Sequence, residues 1–125
     1  MKYIIATHGK MASGIKNTIE MLAGEKRDLY AIDAYVDSQE FSEGFEQLLS
    51  KFGDEYVYVF TDIVSGSVNQ QICKFLDRYR LHVITGMNLP VIMEIILRNE
   101  ELNEEEIEIL IEEARQHILY MNRLC

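Results

Sequence analysis

Proline, cysteine and positive charge are all scarce in this chain of 125 residues, and each shortage excludes something. The single proline, Pro90, fits the first position of a helix, where its missing N–H is not needed, so no proline-rich linker divides the chain. The two cysteines, Cys73 and Cys125, form neither a CxxC pair nor a cluster with histidine. That argues against a zinc site or a disulfide framework. Cys73 lies in an apolar helical pattern with Ile72, Phe75 and Leu76, and a buried free thiol is expected there. Twelve basic residues stand against 21 acidic ones, a formal charge of −9 with no basic stripe. Nucleic acid and anionic membranes are therefore poor partners, and a protein with a basic patch is a better one.

Long apolar runs are missing too. None approaches the roughly 20 residues needed to cross a bilayer. The opening stretch Met1–Ala6 is too short for a signal-peptide core and reads as a first strand. A cytoplasmic protein with one domain, 1–125, is the expectation. What is present suits that: 48% hydrophobic and 26% charged residues, and enough length to bury one core. Much of the acidic excess falls between Glu100 and Glu113 and reads as the solvated face of a helix.

Apolar patterning alternates between strand and helix. Tyr3–Thr7 is a short apolar run, followed by Ile15, Ile19 and Leu22 at helical spacing until Gly24. Leu29–Ala34 reads as a second strand. Asp37 and Glu40 form a potential capping box ahead of the stripe Phe41, Phe45, Leu48, Leu49 and Phe52, which Gly53 closes. Tyr56–Thr61 is the densest β-branched and aromatic run. Ser67 and Gln70 are placed to cap a helix carrying Val68, Ile72, Phe75, Leu76 and Tyr79. Leu81–Thr85 is the fourth strand, with a helix over Val91–Leu97 behind Pro90. Asn103 and Glu106 make another capping box, opening a last helix expected to run close to Cys125. The methionines are expected to fill the core.

Four successive β-α units predict an α/β fold: an open, mainly parallel four-stranded sheet with helices on both faces. Right-handed crossovers bring the C-terminal ends of all strands to one edge, where ligands bind at the point of strand-order reversal. With strand order 2-1-3-4, the reversal lies between the first and third strands. His8 then stands beside Asp62, because neighbouring strands are about 4.8 Å apart. A carboxylate on one imidazole nitrogen selects the tautomer and stabilises the cation formed when the other nitrogen bonds phosphorus. Ser65-Gly66-Ser67 precedes the third helix, where unpaired N–H groups and hydroxyls can hold phosphoryl oxygens. His82, near the opposite edge, reads as structural or solvent-facing, and His117 suits the negative end of the last helix.

Rival chemistries lack their residues. A receiver domain would need acids after the first strand, where Thr7-His8 stands; a flavodoxin would need a hydroxyl-rich loop in place of Gly9-Lys10-Met11-Ala12. The P-loop pattern is absent.

Three loops, Thr7-His8-Gly9, Asp62-Ile63-Val64-Ser65-Gly66-Ser67 and Gly86-Met87-Asn88-Leu89-Pro90, resemble the signature loops of the mannose-family enzyme IIA domain. That domain belongs to the phosphoenolpyruvate-dependent sugar phosphotransferase system. The similarity runs from Tyr3 to about Ile118. It implies that His8 is phosphorylated and Asp62 orients it. It also implies that Ser65, Gly66 and Ser67 hold the phosphoryl group, with Thr7, Gly9 and Asn88 shaping the pocket. By the same resemblance the donor is the phosphocarrier HPr and the acceptor a histidine of enzyme IIB, with no metal, nucleotide or other cofactor. Ser65 stands where the family often has a second glycine, and Val68 where it often has proline; both keep a helix-start loop. Well-known members exchange a final strand between two subunits. Here little length is left for such a strand, which leaves a homodimer open. Two alternatives use the same fold: a regulatory module that senses HPr, and the phosphoryl-donor subunit of a dihydroxyacetone kinase.

Overall fold

Alternating apolar residues give this sheet two buried faces, and the helices of the first unit divide between them. The computed structural model describes Met1–Cys125 and divides into two compact units, Met1–Met87 and Asn88–Cys125. In the first unit the strands are β1 (Lys2–His8), β2 (Leu29–Ala34), β3 (Val57–Thr61) and β4 (Leu81–Thr85). All pair in parallel in the order β2-β1-β3-β4. Between them run α1 (Met11–Ala23), α2 (Phe41–Phe52) and α3 (Ser67–Ile72), the last tightening into a 3-10 turn over Cys73–Phe75.

Side chains alternate across a strand, so β1 sends Ile4 and Ala6 to one face and Tyr3, Ile5 and Thr7 to the other. Ile4 and Ala6 join Val57 and Val59 in a core closed by Phe41, Phe45, Leu49 and Phe52 of α2 and by Val68 and Ile72 of α3. The opposite face receives α1, which buries Ala12 and Ile19 and is tied to β1 where the Ala12 N–H donates to Thr7 Oγ1 at 2.8 Å. Central β3 is buried along its whole length, as expected of a parallel strand covered on both sides.

In the second unit, α4 (Leu89–Arg98) starts at Asn88, whose side chain accepts the Val91 N–H at 3.0 Å, with Pro90 in the first turn. It ends at Asn99, which takes the left-handed conformation (φ 51°). Asn103 and Glu106 form the reciprocal capping box that opens α5 (Glu104–Arg115), with three glutamates in its first turn complementing the helix dipole. Asn88 Nδ2 donates to the Ala114 carbonyl at 2.8 Å, joining the start of α4 to the end of α5. No helix is long and apolar enough to cross a membrane.

Several local expectations fail for identifiable reasons. The Asp37–Glu40 box does not form: Asp37 accepts from the Gln39 N–H instead, a local turn that competes with capping. Ser67 does not cap α3; Gly66 occupies the cap position and Ser67 lies inside the first turn. The tightening into a 3-10 turn rotates Phe75 inward and leaves Cys73 and Leu76 exposed, so Cys73 is not a buried thiol. Met11, Met21 and Leu22 point to solvent, because α1 buries only the narrow stripe of Ala12 and Ile19. The last helix stops at Arg115 rather than nearing Cys125. A turn and a short 3-10 segment over Met121–Arg123 follow, and no fifth strand.

Candidate functional site

Register decides what meets at the C-terminal edge of the sheet. Ala6 pairs with Thr61 and His8 with Ala34, so the residues leaving β1 run between those leaving β3 and β2. Asp62 turns toward β1 as soon as β3 ends. Its Oδ2 accepts both the His8 backbone N–H (3.0 Å) and, at 2.9 Å, the ring nitrogen Nδ1. Oδ1 accepts the Ile63 N–H at 3.0 Å. An ionised carboxylate offers only lone pairs, so Nδ1 carries the proton and the neutral ring keeps its free lone pair on Nε2.

Burial acts to raise the Asp62 carboxyl pKa, but the hydrogen bonds from the His8 ring and from backbone N–H groups outweigh it. The group is held below its ordinary 3.8. The carboxylate is thus charged throughout the neutral range. Its side chain is only 12% exposed, whereas the His8 side chain is 37% exposed. Anchor inside and ring at the surface is the arrangement a group-transfer histidine requires.

Gly9 leaves the strand with φ 61°, the left-handed region where a Cβ is costly, after its N–H has extended the sheet to the Ala34 carbonyl at 2.9 Å. Gly66 is required for a different reason. A Cβ there would lie 2.7 Å from His8 Cε1, so the imidazole packs directly on the glycine backbone. Ser65 and Ser67 on either side are exposed. With only six residues, α3 contributes less through a summed dipole than through the unpaired N–H groups of its first turn. Thr7 is fully buried and receives the Ala12 N–H, so it positions the start of α1 rather than lining an opening. Asn88 belongs to the second unit, where its side chain caps α4 and reaches Ala114. No group of three or more His, Cys, Asp and Glu side chains converges as a metal site would.

This arrangement of a surface imidazole on a buried carboxylate, beside a glycine-serine loop, coincides with the sequence comparisons. The family model described as the PTS system fructose IIA component (EIIA-man) matches residues 2–112. The chain belongs to this family of phosphotransferase-system IIA components. A fructose-specific EIIA component of Bacillus subtilis is 27% identical over 103 residues, covering 79% of this chain and 70% of the relative. A crystal structure from Klebsiella pneumoniae, described as that of a sugar phosphotransferase system permease, is 32% identical. It superposes with a TM-score of 0.89 over 98% of this chain and 92% of that one. A IIA protein associated with a fucose utilization operon in Streptococcus pneumoniae superposes at 0.82 with 26% identity, covering 98% and 94% of the two chains. The shared four-stranded parallel α/β fold agrees with the order expected from sequence.

Two residues at this IIA site escape a reading by motif. Tyr35, just past β2, sets its ring 5.5 Å from that of His8 and has φ 67°. Its hydroxyl lies 2.5 Å from Ser67 Oγ and accepts from Gln71 Nε2 at 3.1 Å. Asn69 is buried and binds four groups: it accepts from Thr61 Oγ1 (2.7 Å) and donates to the Ile63 carbonyl (2.9 Å), Thr85 Oγ1 (2.7 Å) and the Val64 carbonyl (3.4 Å). It staples the loop carrying Asp62 to β3 and β4. Their signals were present but faint: Tyr35 follows a strand end on the ligand-binding edge, and Asn69 is a polar residue on the buried side of an apolar helix.

Proposed function

We propose that this chain is a cytoplasmic phosphocarrier that accepts a phosphoryl group from phospho-HPr on Nε2 of His8 and passes it to a histidine of an enzyme IIB partner. The two compact units act together in it as one domain, 1–125. The observation that carries the reading is the 2.9 Å contact between His8 Nδ1 and Asp62 Oδ2, which leaves Nε2 as the nucleophile at an exposed ring edge.

In the forward step the Nε2 lone pair attacks phosphorus in line with the donor's ring nitrogen. The N–P bond to His8 forms as the N–P bond to the donor breaks, and that electron pair returns to the donor imidazole. His8 loses no proton: Nδ1–H stays on Asp62, and the carboxylate neutralises the cation that forms on the ring. Onward transfer to enzyme IIB is the same exchange with the roles reversed. The Ser67 hydroxyl and the N–H groups of the Ser65-Gly66-Ser67 loop receive the phosphoryl oxygens. Thr7 and Gly9 hold loop ends in place rather than touching phosphate, and Asn88 caps the helix that it precedes.

A protein donor and acceptor suit the surroundings. Met11, Tyr35, Val36, Ile63 and Val64, each in a segment leaving the sheet at this edge, are 47% to 74% exposed. Such an apolar rim excludes water when a partner docks. The net charge of −9 favours partners that present basic residues.

The test combines the protein with phosphoenolpyruvate, enzyme I and HPr. One acid-labile, base-stable phosphoryl group per chain is expected, discharged on adding the cognate enzyme IIB. An adduct that no enzyme IIB discharges would favour an HPr-sensing role, and discharge only by a dihydroxyacetone kinase would assign the donor-subunit role.

A further inference from the structure

We propose that Tyr35 is a positioning residue for the transfer: its hydroxyl relays a hydrogen bond from Gln71 to Ser67, turning the Ser67 hydroxyl hydrogen toward the phosphoryl group. The inference rests on the phosphocarrier reading and adds the residue that orients the phosphoryl ligand.

Backbone geometry is the first observation. Tyr35 has φ 67°, a conformation that residues with a Cβ rarely adopt. Burial does not explain it, since the side chain remains 55% exposed. The strained backbone instead serves a placement, with the ring 5.5 Å from the His8 ring at 38° and the hydroxyl over the start of α3.

Hydrogen-bond direction is the second. Gln71 Nε2 can only donate, so at 3.1 Å the phenol oxygen accepts from it and keeps its own hydrogen to give. The neighbour at 2.5 Å is Ser67 Oγ; either oxygen can donate there, and in the proposed relay the Tyr35 hydroxyl gives its hydrogen to Ser67 Oγ. An oxygen that accepts there has its own hydrogen left for another acceptor. Ser67 follows Gly66, the residue on which the His8 ring rests, so that hydrogen is delivered beside the imidazole. Donors chained in this way polarise one another and strengthen the last member.

The experiment measures the rate of His8 phosphorylation in wild type, Tyr35→Phe, Ser67→Ala and the double variant. Two donors are used in parallel: phospho-HPr and potassium phosphoramidate, a small molecule that phosphorylates imidazole without docking. Tyr35→Phe keeps the ring against His8 and removes only the hydroxyl. It is expected to slow transfer from both donors about five- to tenfold, the effect of one hydrogen bond. The HPr concentration giving half-maximal rate should not change, and in the Ser67→Ala background the further loss should be under about twofold. Rates equal to wild type, multiplying losses in the double variant, or an effect confined to the half-saturating HPr concentration would each overturn the relay. His8 labelled by phosphoramidate but not by phospho-HPr would overturn the phosphocarrier function, and the relay would be judged on the phosphoramidate rates. Labelling of His8 by neither donor would overturn both.

Discussion

Two histidines sit on the same sheet, and their different surroundings set the edge proposed for transfer apart from the opposite one. His8 ends β1 at the edge where the strands' C-termini meet, with a carboxylate on Nδ1 and Tyr35 beside the ring. His82, near the start of β4, stacks on Tyr56 with ring centroids 4.7 Å apart and lies 5.9 Å from Tyr58. Both imidazoles have aromatic neighbours. At His8 an anion is positioned to select the tautomer, and loops leading into the starts of helices lie around the ring. The cause is parallel topology: each strand leads into a helix at its C-terminal end, so glycines, hydroxyls and unpaired N–H groups gather there. At the opposite edge chains arrive from helix ends, and the contacts are of another kind: Arg80 lies over the Tyr56 ring, and the N-terminal amine pairs with Glu55.

Exchanging the two histidines tests this contrast with the largest effect. His8→Ala is expected to abolish phosphorylation by phospho-HPr. His82→Ala should transfer at near the wild-type rate while losing about 1 kcal/mol of stability with its stacking; quantitative labelling and denaturant melts distinguish them. Asp62→Asn comes next. An amide cannot neutralise the ring cation, so the transfer rate should fall about 100-fold, measured with rapid quenching.

Gly66→Ala sharpens the contrast by separating activity from stability. The backbone of Gly66 has φ −78°, which alanine adopts easily, but the new Cβ would meet His8 Cε1 at 2.7 Å. The ring, being the mobile partner, must swing away from Asp62. Transfer is expected to drop about tenfold with folding stability changed by less than about 1 kcal/mol, a combination read from paired rate and melting measurements. Asn69→Ala should do the reverse. Losing its bonds to Thr61, Thr85 and the Ile63 carbonyl costs about 1–3 kcal/mol of stability and only a few-fold in rate, since Asp62 keeps its contacts to His8.

The smallest effect is one of pH. Asp62 has a folded-state pKa below its ordinary value, so its stabilising contribution is complete above about pH 4 and is lost as the pH falls through the folded value. Acid melts should show wild type losing stability relative to Asp62→Asn below pH 4 and a constant difference above it.

The strand order, all four strands and the pairing of His8 with Asp62 were legible because apolar alternation, punctuating glycines and right-handed crossovers constrain a parallel sheet tightly. Helix ends were legible where one local interaction dominates. The Asn103–Glu106 box formed as expected, whereas Asp37 found a closer backbone donor and Ser67 was drawn to Tyr35. Spacing alone cannot rank such competitors, because each differs from its rival by about one hydrogen bond. Cys73 was misread for a related reason: a switch from α to 3-10 winding changes which residues face inward without changing the apolar pattern.

By itself, then, the sequence determined the kind of sheet, the edge to which the proposed chemistry is assigned and the imidazole and carboxylate that meet there. These follow from periodicity and chain direction, which are properties of residue order. Only the tertiary structure decided that Asp62 holds Nδ1 rather than Nε2, that Gly66 is the surface on which the ring rests, and that Tyr35 joins the site from a strained turn. Those outcomes depend on differences of an ångström or less between segments far apart in the chain, and such distances exist only once the whole sheet is assembled.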